Sequence, residues 1–193
     1  EKIMWKSGYL GSDKMGGAFS SLRSSDLIYG GMVDRYLLGK KSQLNDLMSW
    51  NADGTRMPYR MHIEYLEQLY LHNMLADNKF KLGGRTIALA DIRVPMFALG
   101  TETDHVAPWK SVYKVHNTTQ TELTFVLTSG GHNAGVVSGP EHPRRRHRVH
   151  TRMPGDKFMD PETWMEETEV LPGSWWPLWN KWLDEHMSGK TAA

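Results

Sequence analysis

The chain has 193 residues, 39% of them hydrophobic, and its 23 Lys and Arg against 22 Asp and Glu leave a formal net charge of +1. This length allows one domain or a part of a larger protein, and so small a charge provides no global field that would attract nucleic acid or an anionic membrane. The sequence contains no Cys, which excludes disulfide scaffolds and thiol catalysis within these residues, and no apolar run approaches the ~20 residues of a membrane-spanning helix.

The first 75 residues are predicted to be mainly helical. Gly and Ser punctuate residues 1–25, which indicates irregular structure or short helices. The clearest periodicity follows Pro58, where Met61, Tyr65 and Leu69 recur on one helix face. The expected helices cover residues 25–39, 44–50 and 59–75.

The remaining residues alternate between strand and helix patterns. Two alternating runs around Gly83-Gly84 predict a β-hairpin. Short apolar, β-rich runs at residues 94–99 and 123–127 predict two core strands, and residues 107–116 between them predict a helix. Further along, the expected elements are a short strand at 148–151, a loop at 154–161, and helices at 162–167 and 175–187. Strand, helix and strand in this order are typical of an α/β fold.

Asp104 and His132 each lie in a loop that follows one of the two core strands. The later part of an α/β-hydrolase sheet delivers the acid and the histidine of a catalytic triad in this order, after a nucleophile placed earlier in the chain. A histidine can act as a general base near neutral pH, and a carboxylate on its other ring nitrogen fixes its tautomer. The alternative is that both are ordinary polar loop residues.

The nucleophile of such a triad is missing from the sequence. It contains no G-x-S-x-G motif and no Cys, so the pair would be incomplete by itself. We therefore expect the chain to be a piece of a longer enzyme.

A basic run follows the histidine loop. Its members are His142, Arg144, Arg145, Arg146, His147, Arg148, His150 and Arg152. The histidine spacing fits no usual zinc pattern and adjacent guanidinium groups would repel a cation, so no metal site is predicted. We interpret the run as a solvated basic loop; contact with phosphate groups of a ligand or with a protein partner is the alternative. Replacing Arg144 or Arg145 by Ala is accordingly expected to leave the activity of the complete enzyme within a few-fold of the wild type.

Four tryptophans near the end of the chain recur along one helix face: Trp175, Trp176, Trp179 and Trp182. We interpret this stripe as core packing of a terminal helix. A hydrophobic surface for a polymer or a partner is the alternative.

Five segments of the chain together resemble the C-terminal part of class I poly(3-hydroxyalkanoate) synthases. They are residues 22–28 (LRSSDLI), 45–53 (NDLMSWNAD), 100–109 (GTETDHVAPW), 129–135 (SGGHNAG) and 173–177 (GSWWP). The resemblance extends over nearly the whole chain. It implies the C-terminal portion of an α/β-hydrolase fold, with residues 1–50 as the end of a cap and residues 51–193 as part of the catalytic core.

The resemblance implies an acyltransferase that polymerises (R)-3-hydroxyacyl-CoA and releases CoA, without a cofactor. In that family a Cys in a G-x-C-x-G turn carries the growing chain as a thioester. His132 matches the histidine that activates this thiol, and Asp104 matches the family's aspartate, which orients the histidine or helps to deprotonate the substrate hydroxyl. The matched motifs also mark His105, Asn133 and Trp50 as candidate substrate-binding residues.

The partners implied by the resemblance are the CoA thioester, the growing polyester, the surface of a polymer granule in the cytoplasm and a second copy of the chain. Nucleic acid is not among them. Without the nucleophile, the 193 residues are not expected to polymerise alone. Two rival functions remain open: part of an α/β-hydrolase esterase or depolymerase, which a Ser nucleophile would indicate, and a non-catalytic binding module.

Overall fold

The computed structural model describes residues 2–22, 32–39, 46, 49–50 and 53–189. The chain divides into two compact units, Glu1–Leu75 and Ala76–Ala193. In the described residues, no helix is long and apolar enough to cross a bilayer. The assignment of residues 1–50 to a cap and of residues 51–193 to a catalytic core stays a prediction.

The first unit combines short helices with one small sheet. Its elements are α1 (Lys2–Trp5), β1 (Tyr9–Leu10), α2 (Ser12–Leu22), a π-helical turn (Val33–Leu37), β2 (Met57–Pro58) and α3 (Tyr59–Glu64), which continues as a π-helix (Tyr65–Leu71). Strands β1 and β2 pair antiparallel. The helix predicted for residues 59–75 ends earlier, because Asn73 adopts a left-handed φ of 48°. Of the helix predicted for 25–39, residues 32–39 are described and contain the π-helical turn, whereas residues 25–31 lie outside the described part of the chain. Residues 44, 45, 47 and 48 of the helix predicted for 44–50 also lie outside it.

The second unit contains the predicted hairpin and a larger sheet. Its elements are β3 (Lys81–Leu82), β4 (Arg85–Thr86), a 3₁₀ turn (Leu89–Asp91), β5 (Met96–Thr101), α4 (Trp109–Tyr113), α5 (Val115–Thr118), β6 (Leu123–Thr128), α6 (Ala134–Val137), β7 (Arg146–Arg152), α7 (Pro161–Glu167), β8 (Leu171–Pro172) and α8 (Trp176–His186). The single helix predicted for residues 107–116 is in fact the two short helices α4 and α5.

The larger sheet has four strands in the order β5-β6-β7-β8. Strands β5 and β6 are parallel and are connected through α4 and α5, as the strand, helix and strand order predicts. Strand β7 pairs antiparallel with β6, and β8 pairs antiparallel with β7. The second unit is therefore a mixed helix and sheet structure, which agrees with an α/β class.

Helices cover both faces of this sheet. On one face, Phe125 and Leu127 are fully buried and pack with Tyr113 of α4 and Trp164 of α7. The other face carries Phe97, whose ring centroid lies 4.7 Å from that of Trp179 and 5.6 Å from that of Trp182. Successive residues of a strand point to opposite faces, so each face can bury its own aromatic cluster. Trp175 is buried, whereas Trp176, Trp179 and Trp182 are half-buried. The tryptophan stripe therefore packs against the sheet as predicted, but it is not fully enclosed in a core.

The interpretation of the basic run as a solvated loop is wrong for most of its length. Residues Arg146–Arg152 form β7, longer than the short strand predicted at 148–151. The side chains of His147 and Arg152 are buried, at 7% and 8% exposure. The physical reason is the burial of all of β6, since a buried strand needs a hydrogen-bonding neighbour on each side.

Arg152 uses its buried guanidinium to hold the connection from α5 to β6. Its Nη1 donates to the carbonyl oxygen of His116 at 2.6 Å, and its Nη2 donates to those of Thr119 and Thr121 at 2.8 and 3.2 Å. Carbonyl groups buried with no partner are costly. The arginine thus satisfies a turn that carries no regular secondary structure of its own.

We predict that Arg152→Ala destabilises the chain by about 2–4 kcal/mol, because it leaves three buried carbonyl groups without their donor. The measurement is the free energy of unfolding in urea. The matched control is Arg144→Ala at an exposed neighbouring position, expected to change that energy by less than about 0.5 kcal/mol. Equal stabilities of the two variants would contradict this role of Arg152.

We also predict that stability falls as the pH drops from neutral. Burial, with smaller effects of Arg152 and His150, lowers the pKa of His116 to about 4, from 6.5 in the unfolded chain. Between pH 6.5 and about pH 4 the unfolded chain binds a proton that the native protein excludes. The free energy of unfolding therefore decreases as the pH falls through this window, by about 3 kcal/mol in total. The measurement is the urea midpoint at about pH 7 and about pH 5.

His116→Gln should remove much of this pH dependence, and His142→Gln, on the loop after α6, should retain it. Carboxyl groups contribute in the same direction to all three proteins, so the difference between the two variants reports His116 alone. An unchanged slope in His116→Gln would count against a neutral, buried His116.

Candidate active site

The carboxyl ends of β5 and β6 meet at one edge of the sheet, because the two strands are parallel and in register from Met96↔Leu123 to Thr101↔Thr128. Asp104 lies in the loop that follows β5, and His132 lies in the loop that follows β6. Open α/β sheets place functional groups at this edge. The fold thus brings together two residues that are distant in sequence.

Main-chain hydrogen bonds join the two loops before either side chain is considered. The N–H of Glu102 donates to the carbonyl oxygen of Thr128 at 2.9 Å, and the N–H of Thr103 donates to that of Gly130 at 3.1 Å. These bonds continue the β5–β6 pairing beyond the ends of the strands. These main-chain bonds therefore set the distance between the backbones of Asp104 and His132.

The side chains of Asp104 and His132 are hydrogen-bonded. The Nδ1 atom of His132 lies 2.9 Å from Oδ2 and 3.1 Å from Oδ1 of Asp104. Oδ1 also accepts the N–H groups of Val106 and Ala107, each at 2.8 Å. The Asp104 side chain is 7% exposed and that of His132 is 43% exposed. The carboxylate is thus held in place by four contacts, and the imidazole remains accessible.

Asp104 is ionised at neutral pH. Partial burial raises the pKa of this carboxyl, but the hydrogen bonds from the Ala107 N–H, the His132 ring and the Val106 N–H outweigh that effect, and the resulting pKa lies below its usual value. Because an ionised carboxylate only accepts hydrogen bonds, Nδ1 of His132 carries the proton and Nε2 carries the lone pair of the neutral ring. A ring held in this way can remove a proton through Nε2 and return it.

Two glycines, Gly130 in the His132 loop and Gly135 in the following helix α6, are required by the local geometry. Gly130 has a φ of +110°, which L side chains rarely adopt, and a Cβ there would meet the guanidinium of Arg145 and lie 3.0 Å from Cα of Gly135. A Cβ at Gly135 would lie 2.8 Å from Cγ2 of Thr101. The glycines let the loop turn back closely against both the carboxyl end of β5 and the start of β7.

The three candidate substrate-binding residues are placed less specifically. His105 and Asn133 are exposed beside Asp104 and His132, and within the described part of the chain their side chains make no hydrogen bond. Trp50 belongs to the first unit, where its side chain is 67% exposed. A role for any of the three in substrate binding stays a prediction. Elsewhere in the residues that the structure describes, no cluster of three or more His, Asp and Glu could hold a metal ion.

Sequence reasoning missed two arginines that contact these loops. Arg146 pairs with Glu102 at 2.6 Å, and Arg145 donates to the carbonyl oxygens of Ser129 and Ala134, each at 2.9 Å. The interpretation of Arg145 as a solvated residue is wrong, because its guanidinium is bound to the His132 loop. A basic run gives no signal of this, since the partners are mainly carbonyl groups, which every residue has.

Comparison with known proteins finds similarity to poly(3-hydroxyalkanoate) polymerases of several bacteria. No family model matches the chain. The whole chain is 40% identical over 193 residues to the poly(3-hydroxyalkanoate) polymerase subunit PhaC of Rhizobium etli. It is 39% identical over 194 residues to the poly(3-hydroxyalkanoate) polymerase of Methylorubrum extorquens. Over 181 residues, 93% of the chain, it is 35% identical to the subunit PhaC of Cupriavidus necator.

The chain spans 30%, 31% and 30% of the lengths of these three relatives. The part it matches is their C-terminal portion. The resemblance predicted from the five sequence segments is confirmed.

We predict that Gly130→Ala destabilises the chain by about 1–3 kcal/mol, because the new Cβ requires a strained φ and displaces Arg145. Urea unfolding measures the effect. Gly139→Ala is the matched control: it lies further along the same segment, its φ is not positive and a Cβ there meets nothing within 4 Å. If both variants unfold at the same urea concentration, the loop does not need the glycine.

Proposed function

Because this chain is similar over its full length to the C-terminal portion of poly(3-hydroxyalkanoate) polymerases, we propose that it is that part of an acyltransferase. The enzyme polymerises (R)-3-hydroxyacyl-CoA and releases CoA. The observation that carries the proposal is the hydrogen bond between Nδ1 of His132 and Oδ2 of Asp104, 2.9 Å long. It supplies an oriented base at the edge of a parallel strand pair.

His132 transfers protons in both halves of the proposed reaction. Its Nε2 takes the thiol proton of a Cys, located outside these 193 residues, while the sulfur attacks the thioester carbonyl of the substrate. CoA leaves as the thiol with the proton that the imidazolium returns, and the acyl group stays on the Cys. A 3-hydroxyl group then gives its proton to Nε2 while its oxygen attacks the carbonyl of the enzyme thioester. The new ester forms, the Cys sulfur leaves, and the imidazolium returns the proton to it as the free thiol.

Asp104 orients His132 in this scheme and does not take a proton from the substrate hydroxyl. Three observations support this role. Both oxygens of its carboxylate face Nδ1 of His132, two main-chain N–H groups share Oδ1, and the side chain is 7% exposed. A carboxylate with lowered pKa and so little free surface is a weak general base, but it stabilises the imidazolium that forms during catalysis.

The fold and the partners follow from the same proposal. We infer that the mixed sheet is the C-terminal part of an α/β-hydrolase fold and that residues 1–50 are the end of its cap. The partners are the CoA thioester, the growing polyester, a granule surface in the cytoplasm and a second copy of the protein. His105, Asn133 and Trp50 are proposed to contact the substrate.

We predict that His132→Ala and Asp104→Asn each lower kcat by about 10³-fold or more, because the first removes the base and the second removes the group that fixes its tautomer. The assay uses the natural polypeptide that carries this chain. It follows the release of CoA thiol from (R)-3-hydroxyacyl-CoA and the formation of polyester.

His142→Ala, on the loop after α6, is the control and should leave both rates unchanged. Full activity of His132→Ala or Asp104→Asn would remove that residue from the proposed mechanism. Hydrolysis of the ester without polymer, together with a Ser in the nucleophile's turn, would favour an esterase or depolymerase. Granule or partner binding without any turnover would favour a binding module.

A further inference from the structure

Arg145 makes three hydrogen bonds to the segment that carries His132. Its Nη1 donates to the carbonyl oxygen of Ser129 at 2.9 Å, and its Nη2 donates to the carbonyl oxygen of Ala134 at 2.9 Å and to Oγ of Ser138 at 2.6 Å. Ser129 precedes His132 and the other two follow it. One guanidinium therefore joins the two sides of the loop from which the imidazole projects.

The Arg145 backbone is itself held by the sheet. Its carbonyl oxygen accepts the N–H of Gly173 at 2.7 Å. The next residue, Arg146, accepts the N–H of Ser129 at 2.9 Å and donates its own N–H to Oγ of Ser129 at 3.2 Å. Because β7 runs antiparallel to β6, its start lies beside the end of β6. The guanidinium thus extends from a fixed strand terminus over the loop.

Two main-chain hydrogen bonds already hold the loop. The N–H of Thr103 donates to the carbonyl oxygen of Gly130 at 3.1 Å, and the N–H of Gly135 donates to that of Gly131 at 2.9 Å. The loop contains Gly130 and Gly131, which give the unfolded and the loosely folded chain many conformations. Charge-assisted hydrogen bonds to carbonyl groups are among the stronger contacts that can offset this entropy. In the described residues Arg145 forms no ion pair, so its bonded donors are directed to the loop alone.

We propose that Arg145 is a positioning residue that fixes the His132 loop. It thereby keeps the hydrogen bond from Nδ1–H of His132 to the Asp104 carboxylate while substrates and products bind and leave beside Nε2. It acts through the loop backbone and does not touch the substrate. Its effect on turnover rests on the proposed function, whereas its effect on the Asp104–His132 hydrogen bond does not.

The test compares Arg145→Ala with Arg144→Ala in the natural polypeptide that carries this chain. Arg144 is an exposed neighbour of the same charge, whose side chain makes no hydrogen bond to the described residues. For Arg145→Ala we expect kcat to fall about 10- to 100-fold with KM nearly unchanged, because a loosened loop would displace His132 by about an ångström from its productive position. Arg144→Ala should keep both constants.

Two further readouts separate positioning from a general loss of structure. The proton NMR signal of the hydrogen-bonded Nδ1–H of His132 should exchange faster with water in Arg145→Ala and not in Arg144→Ala. Millimolar guanidinium ion should restore part of the lost kcat and slow this exchange, and ethylammonium at the same concentration should not, because it lacks the planar fork of donors.

Ser138→Ala, which removes one acceptor, gives a milder variant if Arg145→Ala fails to fold, and should lower kcat by a smaller factor and speed the same exchange. A raised KM with unchanged kcat in Arg145→Ala would overturn the proposal in favour of substrate contact. An Nδ1–H signal and a kcat like those of the wild type would overturn it as well. Absence of polymer synthesis by the wild type would instead refute the proposed function, and the NMR comparison would still decide the role of Arg145.

Discussion

The architecture of the second unit depends on the burial of one strand. All residues of β6, Leu123–Thr128, are buried, so each of its main-chain N–H and C=O groups must find a partner inside the protein. Strand β5 supplies the parallel neighbour and β7 the antiparallel one. This pairing brings the end of β5, the end of β6 and the start of β7 to one edge of the sheet. Asp104 follows the first, His132 follows the second and Arg145 precedes the third, so these three side chains meet at that edge.

Three kinds of contact hold the site together at that edge. Main-chain bonds continue the pairing of β5 and β6 into the loops, and the carboxylate of Asp104 then fixes the ring of His132. The guanidinium of Arg145 joins the two sides of the His132 loop. The Asp104 side chain is sheltered and the His132 imidazole is accessible. This difference suits a base that must meet reactants while the group that orients it stays away from water.

The basic run shows how the same residue type serves different purposes at neighbouring positions. Arg145 holds a loop, Arg146 pairs with Glu102, and Arg152 satisfies buried carbonyl groups at the far end of β7. Five of the seven residues of β7 are Arg or His, so the segment has low hydrophobicity and does not show the apolar alternation expected of a half-buried strand. The sequence predicts only a short strand at 148–151. The full strand forms because β6 needs a second hydrogen-bonding neighbour, and no pattern within the run shows this requirement.

Local periodicity and turn residues are enough to predict the strand, helix and strand order around Asp104 and His132, the hairpin at Gly83-Gly84 and the helical tryptophan stripe. The motifs of the sequence also determined the family resemblance that the comparisons confirm. The residue pattern did not predict that α7 and α8 cover opposite faces of the sheet, that the short strand expected at 148–151 extends over residues 146–152, or that Arg145 lies against the His132 loop. Each of these features depends on segments that are distant in sequence. Aromatic packing places the two helices, main-chain pairing with β6 extends the strand, and Arg145 binds backbone carbonyl groups, which are identical at every residue until the chain is folded.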